Sequence, residues 1–296
     1  MLSQRALEAF REVMRCGTVS AAAAELNVSQ PAISRHIREL EASLGMPLFI
    51  RHGGRIAPTQ EAQEFWSEVE RSMISLKHIE RAAQQIKRGQ RATLAVAAAP
   101  VFALTLLPDV ISIIEAARPD MNASVLSMTT LPVARQVTMR QCQIGFVVGA
   151  HRQFDVDLLT TGTLPFRLIA PAKHRFGELD HVTLDHLAGE TLVGFEETTL
   201  IGRTFERHFA RMARPPVIRF RSYLSHIVSA LVLRGLGAAI VDPLTARQHG
   251  IAGGISRPFA GDDRFEYAVL KARGERLSAD GREFVDAFET VVDGYR

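Results

Sequence analysis

Gln30, Ser34, Arg35 and Arg38 occupy one stretch at spacings of four, one and three, and their side chains suit nucleic-acid recognition. A glutamine pairs bidentately with adenine, a serine hydroxyl meets several base edges, and arginines hold phosphates. Ile33, Ile37, Leu40 and Leu44 fall on the other side of the same stretch, so the spacing predicts one amphipathic helix. Ser29 is placed as its N-cap, Pro31 in its first turn and Gly45 just past its end. Taken alone, this polar face is equally a solvated surface.

The elements around it favour the recognition reading. Leu7, Phe10 and Met14 predict a first helix stopped by Gly17; Val19, Ala22, Ala23 and Leu26 predict a second, whose small residues allow close approach. After the third helix, two short apolar pieces flank Gly53-Gly54, which predicts a β-hairpin. Arg51, His52 and Arg55 on that hairpin are candidates for the DNA backbone or a minor groove, and Ser29 and Pro31 join the helix start as candidate contacts.

The run Gly17-Thr18-Val19-Ser20-Ala21-Ala22-Ala23, then Leu26, Ser29-Gln30-Pro31-Ala32-Ile33-Ser34, Ile37, Leu40-Glu41, Leu44-Gly45, Leu48-Phe49 and Arg51 resembles the winged helix-turn-helix of LysR-type transcription regulators. Val19 departs from an aromatic, and Glu61-Ala62 from the frequent Ala-Gly. The latter, with Leu224-Ser225-His226, Arg234-Gly235-Leu236-Gly237 and Asp242-Pro243, is similar to the branch of the lysine-biosynthesis regulator and the opine sensors. Gln143 replaces a common Asp. The resemblance implies a double-stranded DNA operator, a small-molecule effector, RNA polymerase and self-association as homodimer or homotetramer.

Thr59 is a candidate cap for a long helix that runs without Gly or Pro to Arg88. Ala62, Phe65, Val69, Ser72, Leu76, Ile79, Ala83 and Ile86 step by three and four, a heptad seam suited to a dimer helix; packing on its own domain is the competing reading. The expected domains are a reader over residues 1–58, a linker over 59–89 and an effector domain over 90–296.

In that last domain short apolar runs alternate with helical patterns. Strands are expected at Leu94–Ala99, Ser124–Met128, Ile144–Val148, Leu192–Phe195, Ala238–Val241 and Tyr267–Leu270, and helices near Phe102–Ala117, Leu200–Arg211, Ile227–Arg234 and Ala279–Asp293. This pattern predicts α/β layers with mainly parallel pairing. The resemblance implies a periplasmic-binding-protein-like pair of lobes, 90–161 with 264–296 and 162–263, crossing near Thr161 and Asp263. A cleft between them would hold the effector.

Candidate cleft residues lie where expected strands end and helices begin: Pro100, Val101 and Phe102; Met128, Thr129 and Thr130; Gly149; Phe195, Glu196 and Thr198; Ser225 and His226; Asp242 and Pro243. Unpaired N–H groups at helix starts suit a carboxylate. Glu196 and Asp242 suit an ammonium or guanidinium group. Together with the resemblance to the opine-sensing branch, this implies an amino acid or opine-like derivative as effector, charged at both ends. Plain caps and solvated acids are the competing readings.

Other chemistry finds little support. Ten histidines show no metal-binding spacing, no nucleophile elbow is present, and the lone Gly235-Leu236-Gly237 fits a tight turn better than a dinucleotide loop. Catalytic residues, metal and cofactor are expected to be absent. Net charge is +3, which permits nucleic acid without requiring it. Cys16 and Cys142 lack ligand or disulfide spacing. No apolar stretch suits a signal peptide or a membrane span, so a cytoplasmic location is expected. A solute-binding protein for transport, or an enzyme with a regulatory reader, are the alternative functions.

Overall fold

A computed structural model describes residues 3–52, 55–66, 68–70, 72–73, 93–149 and 154–295. The chain divides into two compact units, Met1–Gln90 and Arg91–Arg296.

The first unit is built on α1 (Gln4–Cys16), α2 (Val19–Glu25) and α3 (Gln30–Leu44), followed by the antiparallel hairpin β1 (Phe49–His52) and β2 (Arg55–Pro58). Gly17 and Gly45 end α1 and α3 with φ of 73° and 69°, a left-handed turn that glycine adopts without steric cost. Phe10, Ile33, Leu40 and Leu48 are buried between the helices and the hairpin. Glu41 ties the hairpin to α3: its Oε1 accepts from the Leu48 and Phe49 N–H groups at 2.8 and 3.1 Å. Thr59 caps the next helix, α4, described over residues 60–66, 68–70 and 72–73; its Oγ1 accepts from Ala62 N–H and donates to the Pro47 carbonyl. Ala62, Val69 and Met73 of α4 are buried in this unit's own core, with Phe65 and Trp66 against it. Its first turns therefore use these apolar residues to complete the reader domain. The rest of the expected seam, Leu76, Ile79, Ala83 and Ile86, lies outside the described residues.

The second unit holds three sheets, of five, three and two strands. The largest has the order β4-β3-β5-β12-β6, from β3 (Leu94–Ala98), β4 (Ala123–Ser127), β5 (Ile144–Val148), β6 (Val156–Pro165) and β12 (Arg264–Ala272). Pairing is parallel among β3, β4 and β5, but β12 runs antiparallel to both β5 and β6, so the sheet is mixed rather than mainly parallel. It packs against α5 (Pro100–Leu104), α6 (Leu106–Ala117), α7 (Thr130–Thr138) and α11 (Ala279–Asp293). The expected helix Phe102–Ala117 is broken at Thr105, whose hydroxyl bonds back to the Val101 carbonyl at 2.5 Å.

The second lobe joins β7 (Arg167–Ala170), β10 (Ala239–Val241) and β11 (Ile255–Pro258) in antiparallel order β10-β7-β11. A parallel pair, β8 (Thr191–Phe195) and β9 (Val217–Ser222), lies alongside, with β8 linked to Ala238 by an isolated bridge. Three helices, α8 (Leu200–Phe209), α9 (Ser225–Leu233) and α10 (Pro243–Ile251), complete it. Because β6 pairs with β12 as far as Pro165, the first crossing falls between Pro165 and Arg167, beyond Thr161. The return falls between Pro258 and Arg264.

Candidate DNA interface and effector cleft

Helix α3 buries Ile33, Ile37 and Leu40 and turns Gln30, Pro31, Arg35 and Arg38 to solvent, with Ser34 half-buried beside them. Ser29 sits at the N-cap with extended backbone, yet its side chain makes no capping bond. Arg35 lies 3.6 Å from Glu39, and Arg38 donates to the Ser34 carbonyl at 3.3 Å. Both contacts are exposed and weak enough to exchange for a phosphate. Behind this face, α1 is braced by Glu12. Burial pushes its carboxyl up, but the Arg15 and Arg11 guanidiniums outweigh that and hold it below the usual carboxylate range. Arg51, His52 and Arg55 fall on the hairpin strands, in the register His52 opposite Arg55; their side chains lie outside the described part of the structure.

In the second unit a cleft of about 560 Å³ opens between the lobes. That volume is ordinary for a small metabolite. Of the residues singled out in the sequence, Pro100, Val101, Thr129, Thr130, Phe195, Thr198, Ser225 and His226 line it. They come from the starts of α5, α7, α8 and α9, so several helix N-termini converge on one space. Thr130 exchanges hydrogen bonds with the Val148 backbone at 3.2 and 3.3 Å, which fixes the start of α7 to the end of β5. Thr199 donates to the Glu196 carbonyl at 2.7 Å and accepts from Gly202 N–H at 3.0 Å, so its hydroxyl builds the α8 start.

The remaining candidates are placed elsewhere. Phe102 is fully buried, at the centre of an aromatic cluster with Phe146, Phe265, Tyr267 and Phe288 at 6.2–6.3 Å. It is core because α5 turns it away from the cleft. Met128, Gly149, Glu196 and Pro243 are not in the lining; Gly149 is buried beneath Leu200, and Pro243 inside the α10 start. Asp242 is also corrected as a ligand contact. It is fully buried and caps α10, accepting from Thr245 N–H at 2.7 Å and from its hydroxyl at 3.0 Å. Burial raises its carboxyl above the usual range, although the bonds from Thr245 and Ser225 oppose this. No carboxylate therefore lines the cleft among the described residues.

Sequence reasoning passed over Arg203, Tyr223, Phe154 and Phe265, which all line the cleft. Arg203 had a usable signal: it lies four residues after Thr199 and folds back to the Thr198 carbonyl at 2.6 Å. Phe154, just before β6, and Phe265, on β12, reach the cleft only through long-range sheet pairing. His226 is held below the usual imidazole range by burial, against the pull of the Asp242 charge.

A winged helix-turn-helix in one unit and a two-lobed, clefted α/β fold in the other define a DNA-binding regulator governed by a small molecule. The chain belongs to the LysR family of transcription regulators: residues 4–63 match the bacterial regulatory helix-turn-helix of the lysR family, and residues 87–293 match the LysR substrate binding domain. It is 34% identical over 245 residues to the octopine catabolism/uptake operon regulatory protein OccR of Rhizobium meliloti, covering 83% of this chain and 81% of that protein. Regulatory protein NocR of Agrobacterium tumefaciens is 32% identical over 273 residues, 91% of this chain and 90% of its own. Among solved structures, full-length CbnR complexed with target DNA has a TM-score of 0.70 over 97% of this chain and 99% of that one, at 20% identity, a likeness of fold alone.

Proposed function

We propose that the effector is an opine-like amino-acid derivative that binds in the cleft with its carboxylates on the starts of α5 and α7 and a cationic group near Ser225 and His226. The observation that carries this is the convergence of four helix starts on one space. Their N–H groups and the hydroxyls of Thr129 and Thr198 suit anionic oxygen. No acid contacts the cationic end directly, but Asp242 lies behind Ser225 and interacts with His226. Similarity to a regulator named for octopine, which carries carboxylates and a guanidinium, agrees with both ends.

On DNA, Gln30, Pro31 and Ser34 read bases while Ser29, Arg35, Arg38 and the wing residues Arg51, His52 and Arg55 hold the backbone. A homodimer or homotetramer would engage an interrupted palindrome. Effector closing the lobes shifts a pre-existing equilibrium and changes the bend seen by RNA polymerase. The protein acts in the cytoplasm, where DNA is, and as a regulator rather than an enzyme.

Calorimetry with octopine, lysine, arginine, diaminopimelate and, as contrast, aromatic and dicarboxylic acids tests the ligand. Saturable heat with octopine or a cationic amino acid is expected. Heat from aromatic or dicarboxylic acids alone would overturn the opine-like reading while leaving the family intact.

A further inference from the structure

A second cavity, of about 420 Å³, shares no lining residue with the cleft. It is lined by Arg167 of β7, Arg247 of α10, Ser256 of β11 and Tyr295 just after α11. Pro165, at the end of β6, forms part of its wall. The cavity thus spans both lobes beside the first crossing.

Its charge is unbalanced. Arg167 is partly buried and its Nε donates to Ser256 Oγ at 2.8 Å. Burial, and then the nearby Arg257 guanidinium, lower it from the ordinary arginine range. Arg257 itself is held by the carbonyls of Leu179, Ser256 and Gly177, which satisfy its N–H groups without neutralising its charge. Arg247 stands 5.2 Å over the Tyr295 ring and donates to its hydroxyl at 3.1 Å. Among the described residues, none of these three arginines has a carboxylate partner, and Arg167 and Arg257 are partly buried as well, where an unneutralised charge is most costly. Like charges gathered around a partly desolvated cavity repel, and an anion entering it would relieve that repulsion. Two guanidinium forks also match the oxygens of a carboxylate or phosphate.

We propose that the Arg167–Arg247–Ser256–Tyr295 cavity is a second small-molecule site, for an oxyanion such as a carboxylate or phosphate group. Because one wall belongs to each lobe, an anion held there is coupled to the lobe arrangement and adjusts the response to the cleft ligand.

The test is a thermal-shift titration of the full chain with inorganic phosphate and with succinate, at ionic strength matched by sodium chloride. A saturable rise in melting temperature, absent with chloride, is expected. Its midpoint should move about tenfold or more in Arg247→Gln and Arg167→Gln, and stay within about twofold in the cleft variant Thr129→Ala, altered at the α7 start that would hold an anion in the cleft. Arg247 is exposed and makes one hydrogen bond, so its variant keeps the test sound even if Arg167→Gln folds poorly. No anion-specific stabilisation, or equal stabilisation of Arg247→Gln and the unchanged chain, would overturn the site. So would loss of the effect in Thr129→Ala alone, which would place the anion in the cleft.

Discussion

Gln30 and the arginines that follow it on α3 divide the work of DNA binding by chemistry. Gln30 is exposed at the helix start, where a bidentate contact to a base depends on sequence; Arg35 and Arg38 lie further along, where phosphates are the partners. Gln30→Ala should weaken an operator fragment by about 1–3 kcal/mol and leave random DNA nearly unchanged. Arg38→Gln should weaken both alike and reduce the salt slope by about one. Fluorescence anisotropy at several salt concentrations separates the two, and equal losses on both DNAs in Gln30→Ala would exclude base reading.

Histidine chemistry gives a second prediction at this scale. His249 is buried, with Nε2 bonded to the Ala170 carbonyl at 3.0 Å and Nδ1 to Ser229 Oγ at 2.8 Å. Burial holds its pKa below the ordinary imidazole value of 6.5, and does the same for His174 and His226. Below pH 6.5 the unfolded chain therefore binds more protons at these sites than the folded one, so stability present above that pH is lost as pH falls through it. Melting curves between pH 7.5 and 5.5 should show a steady drop, and His249→Gln should make it shallower. A melting temperature that rises on acidification over that range would contradict this.

At the scale of elements, precise placement depends on a few polar anchors and close approaches. The Glu41 carboxylate satisfies two backbone N–H groups where the wing begins. Glu41→Ala should cost about 1–3 kcal/mol in chemical denaturation of the reader and weaken DNA binding through the wing. At the α8 start, a Cβ on Gly202 would meet the Glu196 carbonyl oxygen at 2.2 Å. Gly202→Ala must therefore move the backbone that carries Thr198 and Thr199. A loss of effector affinity together with about 1–3 kcal/mol of stability is expected. Unchanged calorimetry would show that this loop does not shape the cleft.

For the molecule as a whole, the second unit has its own core, drawn from both lobes. A fragment of residues 91–296 should fold alone and bind the effector with the affinity of the full chain, while losing DNA binding. At a hundredfold excess over Kd the effector should stabilise it by about 2.7 kcal/mol. Calorimetry and melting of the fragment check both statements.

The reader domain was legible in the sequence alone. Its helices are short, locally capped and patterned at helical period, so Gly17, Gly45 and the Ile33–Leu44 stripe fixed their ends and faces before any long-range contact was known. The hairpin and the Thr59 cap were legible for the same reason. The sequence also located the starts of α5, α7, α8 and α9, because caps and strand ends are local signals. Which of those starts reach the cleft was decided only in three dimensions. Phe102 and Val101 are neighbours in one helical turn, yet packing sends one into the aromatic core and the other to the cleft lining. Asp242 reads as an available acid until Thr245 and the surrounding core enclose it. Strands β6, β7, β9 and β11 carry broken alternation and gain their identity from partners far along the chain. Arg167 and Arg247 of the second cavity come together from β7 and α10, with Ser256 from β11 and Tyr295 after α11, because tertiary pairing, not local propensity, sets which groups face one another.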